Sequence, residues 1–165
     1  MEELSGSNQY LTFRLGEEVF ALEIGKVREV LDFSTVTKVP RTPPFMRGVI
    51  NLRGGVVPVI DMNIKFGMPE TEKTVNTCII IVEITVDDEQ TVVGALADSV
   101  EEVLDLEEEQ IEAAPRIGTR LNTEFIKGMG KHGERFIIIL DIDRVFSAEE
   151  LALIGQHGET ADLTI

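Results

Sequence analysis

The chain contains its own pattern twice. Phe45–Met62, FMRGVINLRGGVVPVIDM, lies over Phe125–Ile142, FIKGMGKHGERFIIILDI, without a gap at an offset of 80 residues (125 − 45 = 80). The match runs on to Phe66 over Phe146. Phe45, Gly48, Asp61 and Phe66 return as Phe125, Gly128, Asp141 and Phe146, and Arg47 returns as Lys127. Upstream, VFALEIGKVREVLD at Val19–Asp32 returns as VGALADSVEEVLD at Val93–Asp105, one residue shorter. Both echoes keep the same order, so one long unit is used twice. A fold for this chain has to be buildable from two related halves.

Each half reads as short strands. QYLTFRL and EVFALEI flank a Gly-Glu-Glu turn, and CIIIVEITV and QTVVGALA flank Asp-Asp-Glu, so each half opens with a hairpin of β-branched and aromatic residues. A short helical turn or strand follows, EIGKVREVLDF in one half and DSVEEVLDL in the other, then an irregular connector that is seven residues longer in the second half (80 − 73 = 7). A second hairpin closes each half, FMRGVIN with GVVPVID and FIKGMG with RFIIILD. About five strands per half suit a small curled sheet or barrel better than a flat one. Asp61 and Asp141 follow the last strands and are placed to cap short turns, and Ser147 with Glu150 forms a capping-box pattern before Leu151, Leu153 and Ile154. Pro58, whose counterpart is Ile138, implies an unpaired side on the last strand of the first half. Halves of 75 to 80 residues are marginal alone, so they are expected to share a core rather than fold independently.

Composition narrows the function. With 15 basic and 30 acidic residues the net charge is −15, so nucleic-acid phosphates and anionic lipid surfaces would repel the chain, and no basic patch offsets this. The longest apolar runs, CIIIV and FIIIL, are strand-length, the start MEELSGSNQ is unlike a secretory signal, and the single Cys78 allows no intramolecular disulfide. These features point to the cytoplasm.

The search for reactive chemistry is negative. Gly128-x-Gly130-x-x-Gly133 spells a dinucleotide fingerprint, but FIIIL follows where a helix is required, so these glycines belong to a hairpin. His132 and His157 have no metal-ligand partners at suitable spacing. Asp61 and Asp141 occupy equivalent repeat positions, which favours a shared capping role over a catalytic pair. Cys78 sits in a buried-strand pattern, and the run Glu107-Glu108-Glu109 reads as a solvated face. No catalytic residue, cofactor or metal is expected. What remains is surface for holding other proteins.

VPRTPPFMRGVINLRGGVVPVIDMNIKFG, VFALEIGKVREVL, VVGALADSVEEVLDL and FIKGMGKHGERFIIILDIDRVFSAEEL together resemble the CheW-type chemotaxis coupling family, from about Gln9 to Leu153. The resemblance implies a mostly β fold of two five-stranded SH3-like barrel subdomains packed on a shared hydrophobic core, at about 9–74 and 75–146, with a short helix at about 147–155. It also implies a non-enzymatic, cytoplasmic adaptor recruited to membrane-associated receptor arrays. Its partners would be the regulatory domain of the chemotaxis histidine kinase, itself related to this fold, and the helical cytoplasmic tips of methyl-accepting chemoreceptors. Matching the family's receptor-facing elements are Val27, Gly48, Arg53 and Val100; matching its kinase side are Glu29, Glu112 and Ile117. Glu112 departs from relatives that carry a basic residue there. A small-ligand-binding barrel, or a regulatory piece of a larger chemotaxis kinase or coupling protein, is the alternative. Arg53 stands out because its counterpart is Gly133: the fold can be built without an arginine there, so its guanidinium is expected to reach solvent or an acidic receptor group.

Overall fold

The structure is a computed structural model and describes residues 9–33, 35–86, 88–113, 125–146 and Glu150. Eleven strands run in chain order: β1 Gln9–Leu15, β2 Glu18–Glu23, β3 Val27–Asp32, β4 Met46–Leu52, β5 Gly55–Asp61, β6 Cys78–Val86, β7 Glu89–Ala97, β8 Ser99–Asp105, β9 Ile111–Glu112, β10 Ile126–His132 and β11 Arg135–Leu140. They form a six-stranded sheet in the order β8-β1-β2-β11-β10-β9 and a five-stranded sheet in the order β3-β6-β7-β5-β4. The segment read as a helical turn or strand is a strand, β3, entered through a 3₁₀ turn at Ile24–Lys26.

Matched by repeat position, β1 to β5 correspond to β6, β7, β8, β10 and β11, and both sheets then have the same internal order. Each takes its opening hairpin from the other half. β1–β2 lies between β8 and β11, while β6–β7 lies between β3 and β5. The sheets therefore do not divide the chain at residues 74 and 75, where the sequence repeat divides. The cause is in the connections: one residue, Asp98, separates β7 from β8, and the 3₁₀ turn alone separates β2 from β3. Neither gives the chain room to fold back into the sheet it has left. The insertion is sealed by two parallel junctions, β11 with β2 through Ile138↔Phe20 and Ile139↔Ala21, and β5 with β7 through Val59↔Gly94, Ile60↔Ala95 and Asp61↔Leu96.

Side-chain alternation then fills three cores. Tyr10, Val19, Ala21, Leu106, Ile137 and Ile139 pack inside the six-stranded sheet. Ile50, Val57, Val59, Ile79, Ile81 and Leu96 pack inside the five-stranded one. The opposite faces of the same strands meet between the sheets, where Phe13, Leu22, Ile60, Ile80, Val82, Ile84, Ala95 and Leu140 form the largest cluster. Strands buried on both faces need apolar residues at consecutive positions, which is why Ile79–Val82 and Ile137–Leu140 run without alternation.

Pro58 does not mark an edge. β5 is paired on both sides, with Val49 opposite Pro58 on β4 and the parallel ladder to β7 starting one residue later at Val59, so the missing N–H falls just outside that ladder. Asp61 and Asp141 are the N-caps of the short helices Met62–Lys65 and Ile142–Val145, as their positions predict. Gly128 to Gly133 run along β10 into the turn before β11, a hairpin. The helix expected at about 147–155 lies outside the described residues apart from Glu150, whose carboxylate accepts hydrogen bonds from Lys65 Nζ at 2.9 and 3.0 Å.

A fragment ending near Thr74 removes both neighbours of β1–β2 and both neighbours that β3 and β5 have in β6–β7. It is expected to lack a cooperative thermal transition, and mixing it with a fragment of residues 75–165 is expected to restore one. Circular dichroism melts of each piece and of the mixture check this; a sharp melt of the first piece alone would contradict it.

Candidate functional site

The two end strands of the five-stranded sheet are joined by a bridge rather than a ladder. Beyond β3 the chain crosses to β4, where Thr37 exchanges backbone hydrogen bonds with Val49 at 2.8 and 2.9 Å. At the open end, Arg53 in the β4–β5 turn donates from Nη1 to Glu29 Oε2 at 2.7 Å and from Nη2 to Glu29 Oε1 at 2.9 Å, a bidentate pair. Arg53 has φ +52° and the following Gly54 φ +87°. Positive φ at both turn residues matches the twist of a tight hairpin, but it disfavours any side chain larger than hydrogen. The second half keeps glycine at this point, Gly133 with φ +67°. The first half thus holds an arginine against its backbone preference, with the side chain 70% exposed. The hydrogen bond from Arg53 holds the Glu29 carboxyl below its usual range, and the same bond raises the guanidinium.

In the second half the counterpart of Glu29 is Glu102, which forms no ion pair among the described residues. A narrow gap lined by Glu102, Leu104, His132 and Arg135 lies where the first half has its bidentate pair. The two halves share a backbone and differ at this end.

Gly48 belongs to the frame. It is buried at a bulge in the β4–β5 ladder with φ +147°, and a Cβ there would stand 2.1 Å from the Thr37 carbonyl oxygen. Gly128 repeats the arrangement at the β10–β11 bulge, where a Cβ would meet the Glu112 carbonyl oxygen at 2.9 Å. Val27 and Val100 are equivalent residues at the starts of β3 and β8, each partly buried against the shared core. Glu112 sits on β9 of the other sheet and pairs with Lys131 at 3.1 Å. Ile117 lies outside the described residues. Of the residues singled out from sequence, the structure brings Arg53 and Glu29 into contact, seats Val27 and Val100 at related places on one core, and buries Gly48.

Sequence reasoning missed three features. The first is Asp98, whose Oδ2 accepts from Gly16 N at 2.6 Å and from Asn63 Nδ2 at 3.1 Å, pinning the crossing between sheets. The second is the buried network on Asp61, described below. The third is a set of exposed apolar residues in repeat-related pairs: Val30 (40%) with Val103 (48%), and Val56 (39%) with Phe136 (51%). The repeat offsets of 73 and 80 align these residues, so an apolar residue kept at an outward strand position in both copies was the available signal (103 − 30 = 73; 136 − 56 = 80). Burial pushes the Cys78 thiol up, in keeping with an unreactive side chain. Among the described residues no cluster of His, Cys, Asp and Glu could hold a metal ion.

The described residues form a duplicated, interlocked β fold with repeat-related apolar residues facing outward. The comparisons identify its family. The CheW-like domain model matches residues 9–150, and the chain belongs to that family. It is 40% identical to chemotaxis protein CheW of Klebsiella aerogenes over 152 residues, covering 92% of this chain and 89% of the relative. It is 34% identical to chemotaxis protein CheW of Thermotoga maritima over 140 residues, covering 83% and 86%. Among solved structures it resembles the scaffolding protein TtCheW of Thermoanaerobacter tengcongensis, with a TM-score of 0.77, 36% identity and coverage of 87% of this chain and 95% of that one. At the level of the family, this is a chemotaxis scaffold protein.

Two expectations follow from the geometry. Gly48→Ala should destabilise the fold by about 2–4 kcal/mol, since it combines a left-handed conformation with a backbone clash, whereas Gly54→Ala, with nothing within 4 Å of its Cβ, should cost about 1–2 kcal/mol. Urea unfolding of both variants checks the order, and equal costs would contradict the assigned burial. The Glu29–Arg53 pair contributes above the ordinary glutamate range and is lost as pH falls through the depressed Glu29 value, because protonation removes the acceptor. Carboxyl NMR titration should show Glu29 titrating below exposed glutamates, and Arg53→Gly should return it to the usual range.

Proposed function

We propose that this protein is a non-enzymatic adaptor that couples the cytoplasmic tips of chemoreceptors to the regulatory domain of the chemotaxis histidine kinase. The carrying observation is the outward apolar set, Val30 with Val103 and Val56 with Phe136, kept exposed at equivalent strand positions of both halves while the shared core holds the halves in one body. A scaffold needs two faces in fixed relation. Membership of the CheW-like family supplies the pathway.

Within this reading Arg53 is the receptor-facing cation. Glu29 takes two of its five N–H donors, so the guanidinium arrives oriented, with most of its surface in solvent. The receptor and kinase assignments of Arg53 and Glu29 then describe one physical unit: a change at either residue is felt by the other. Val27 and Val100, each partly buried against the shared core, belong to the same receptor-facing set in this reading, and Gly48 contributes by shaping the hairpin. Glu112 and Ile117 are assigned to the kinase side.

Arg53→Glu is expected to leave thermal unfolding close to that of the parent protein, as for other exposed pairs, and to weaken binding of a receptor-tip peptide about tenfold by charge reversal. The charge-exchanged variant Glu29→Arg with Arg53→Glu rebuilds the intramolecular pair. Receptor binding should stay weak in it. Recovery of receptor binding in the exchanged variant would show that the pair only holds the turn in shape.

A further inference from the structure

The two halves finish their closing hairpins differently, and among the described residues one site is filled while its twin has no plug. In the first half Asp61 is fully buried. Besides capping its helix it accepts from Thr71 Oγ1 at 2.7 Å and Thr71 N at 3.0 Å, and it pairs with Arg47 Nη1 at 2.9 Å. Arg47 also donates to the Thr71 carbonyl at 3.2 Å and lies 3.4 Å from the Glu70 carboxylate. Asn63 Nδ2 donates to Thr71 Oγ1 at 2.7 Å. A Glu-Thr dipeptide from the chain beyond the helix thus plugs the site, and Thr71 is buried with it.

The second half carries Lys127 for Arg47 and Asp141 for Asp61, but Asp143 for Asn63, a carboxylate that accepts from Lys26 Nζ at 2.7 Å and Thr85 N at 2.8 Å and cannot donate as the Asn63 amide does. No described residue takes the place of Glu70 and Thr71. Instead there is a cavity of about 290 Å³ lined by Glu23, Lys26, Lys127, Asp141, Asp143 and the apolar Leu140. Asp141 accepts a hydrogen bond from Asp143 N at 3.2 Å and has Arg144 Nε at 3.7 Å, and its side chain is 36% exposed where Asp61 is at 0%. Lys127 reaches across to Glu23 rather than to Asp141, with its side chain 44% exposed. Burial lowers the Lys127 ammonium, and the carboxylate of Glu23 together with Tyr10 and Asp141 more than offsets this, so the cation persists in the cavity wall.

We infer that this cavity is a peptide-binding site for a partner segment in which an acidic residue precedes a threonine. The plugged twin displays the part of the recognition that the two sites share. The hydroxyl and amide of the threonine donate to the capping carboxylate, and the acidic side chain meets the cation at position 127. This site is separate from the Arg53–Glu29 pair and holds whether or not that pair contacts receptors.

The probe is a synthetic peptide of residues 67–74, GMPETEKT, added to the full-length ¹⁵N-labelled chain and followed by NMR. Saturable shifts at Lys127, Asp141 and Asp143 with a dissociation constant of about 1 mM or tighter are expected. Two losses of at least about tenfold are also expected, one for the peptide carrying Thr71→Val and one for the chain carrying Asp141→Asn, in which asparagine still caps the helix. Lys127→Met should weaken binding in the same sense and reports on the cavity without touching the cap. Three results would overturn the inference: absence of saturable binding, binding indifferent to all three changes, or binding seen only in a chain shortened after His157, which would assign the cavity to the chain's own Glu159-Thr160.

Discussion

The parallel junctions of β2 with β11 and of β7 with β5 are the constraint on which the rest depends. Each joins a strand of one half to a strand of the other, so neither sheet exists until both halves are present. The large central cluster follows, because the exchanged hairpins turn one face to their host sheet and the other to the seam. Burying both faces concentrates apolar area where a half of this size, alone, would have too little to offset its chain entropy. One fused body, rather than two beads on a linker, is also what a scaffold requires if two partners are to be held at a fixed distance.

Duplication leaves a record of what the frame needs and what was added to it. Gly48 and Gly128 recur because a neighbouring carbonyl approaches each of them in the same bulge. Asp61 and Asp141 recur because each caps a helix. Arg53 over Gly133 does not recur, and the left-handed backbone shows which copy follows the conformational preference and which departs from it. Thr71 has no described counterpart either, and there the departure opens a cavity rather than adding a side chain. Differences between equivalent positions mark what the shared frame does not require.

The duplication, the strand hairpins, both caps and the shared core were legible in the sequence because each leaves a local or periodic mark. The exchange of hairpins was not legible. It depends on the single-residue connection at Asp98 and on the pairing of Ala21 with Ile139, and a repeat read as two consecutive units hides both. Pro58 was misread for the same reason: an interior strand can carry a proline where its ladder has not yet begun. Arg53 was legible as unusual, but not its partner, since Glu29 lies 24 residues away on a strand that only sheet closure brings near. The outward pairs Val56 with Phe136 and Val30 with Val103 were readable from the offsets but not as outward, because apolar residues on short strands look alike whichever way they face.

Native-state hydrogen exchange tests the interlocked fold most directly, because it reads the opening free energy of each amide. The amide of Ala21 lies in the six-stranded sheet and that of Ala95 in the five-stranded sheet, each on an exchanged hairpin. If the halves form one cooperative body, both amides exchange through the same global opening, with equal free energies and equal dependence on denaturant. Two separate values, one for each sheet, would show that the sheets open independently and would contradict a single body built by exchange.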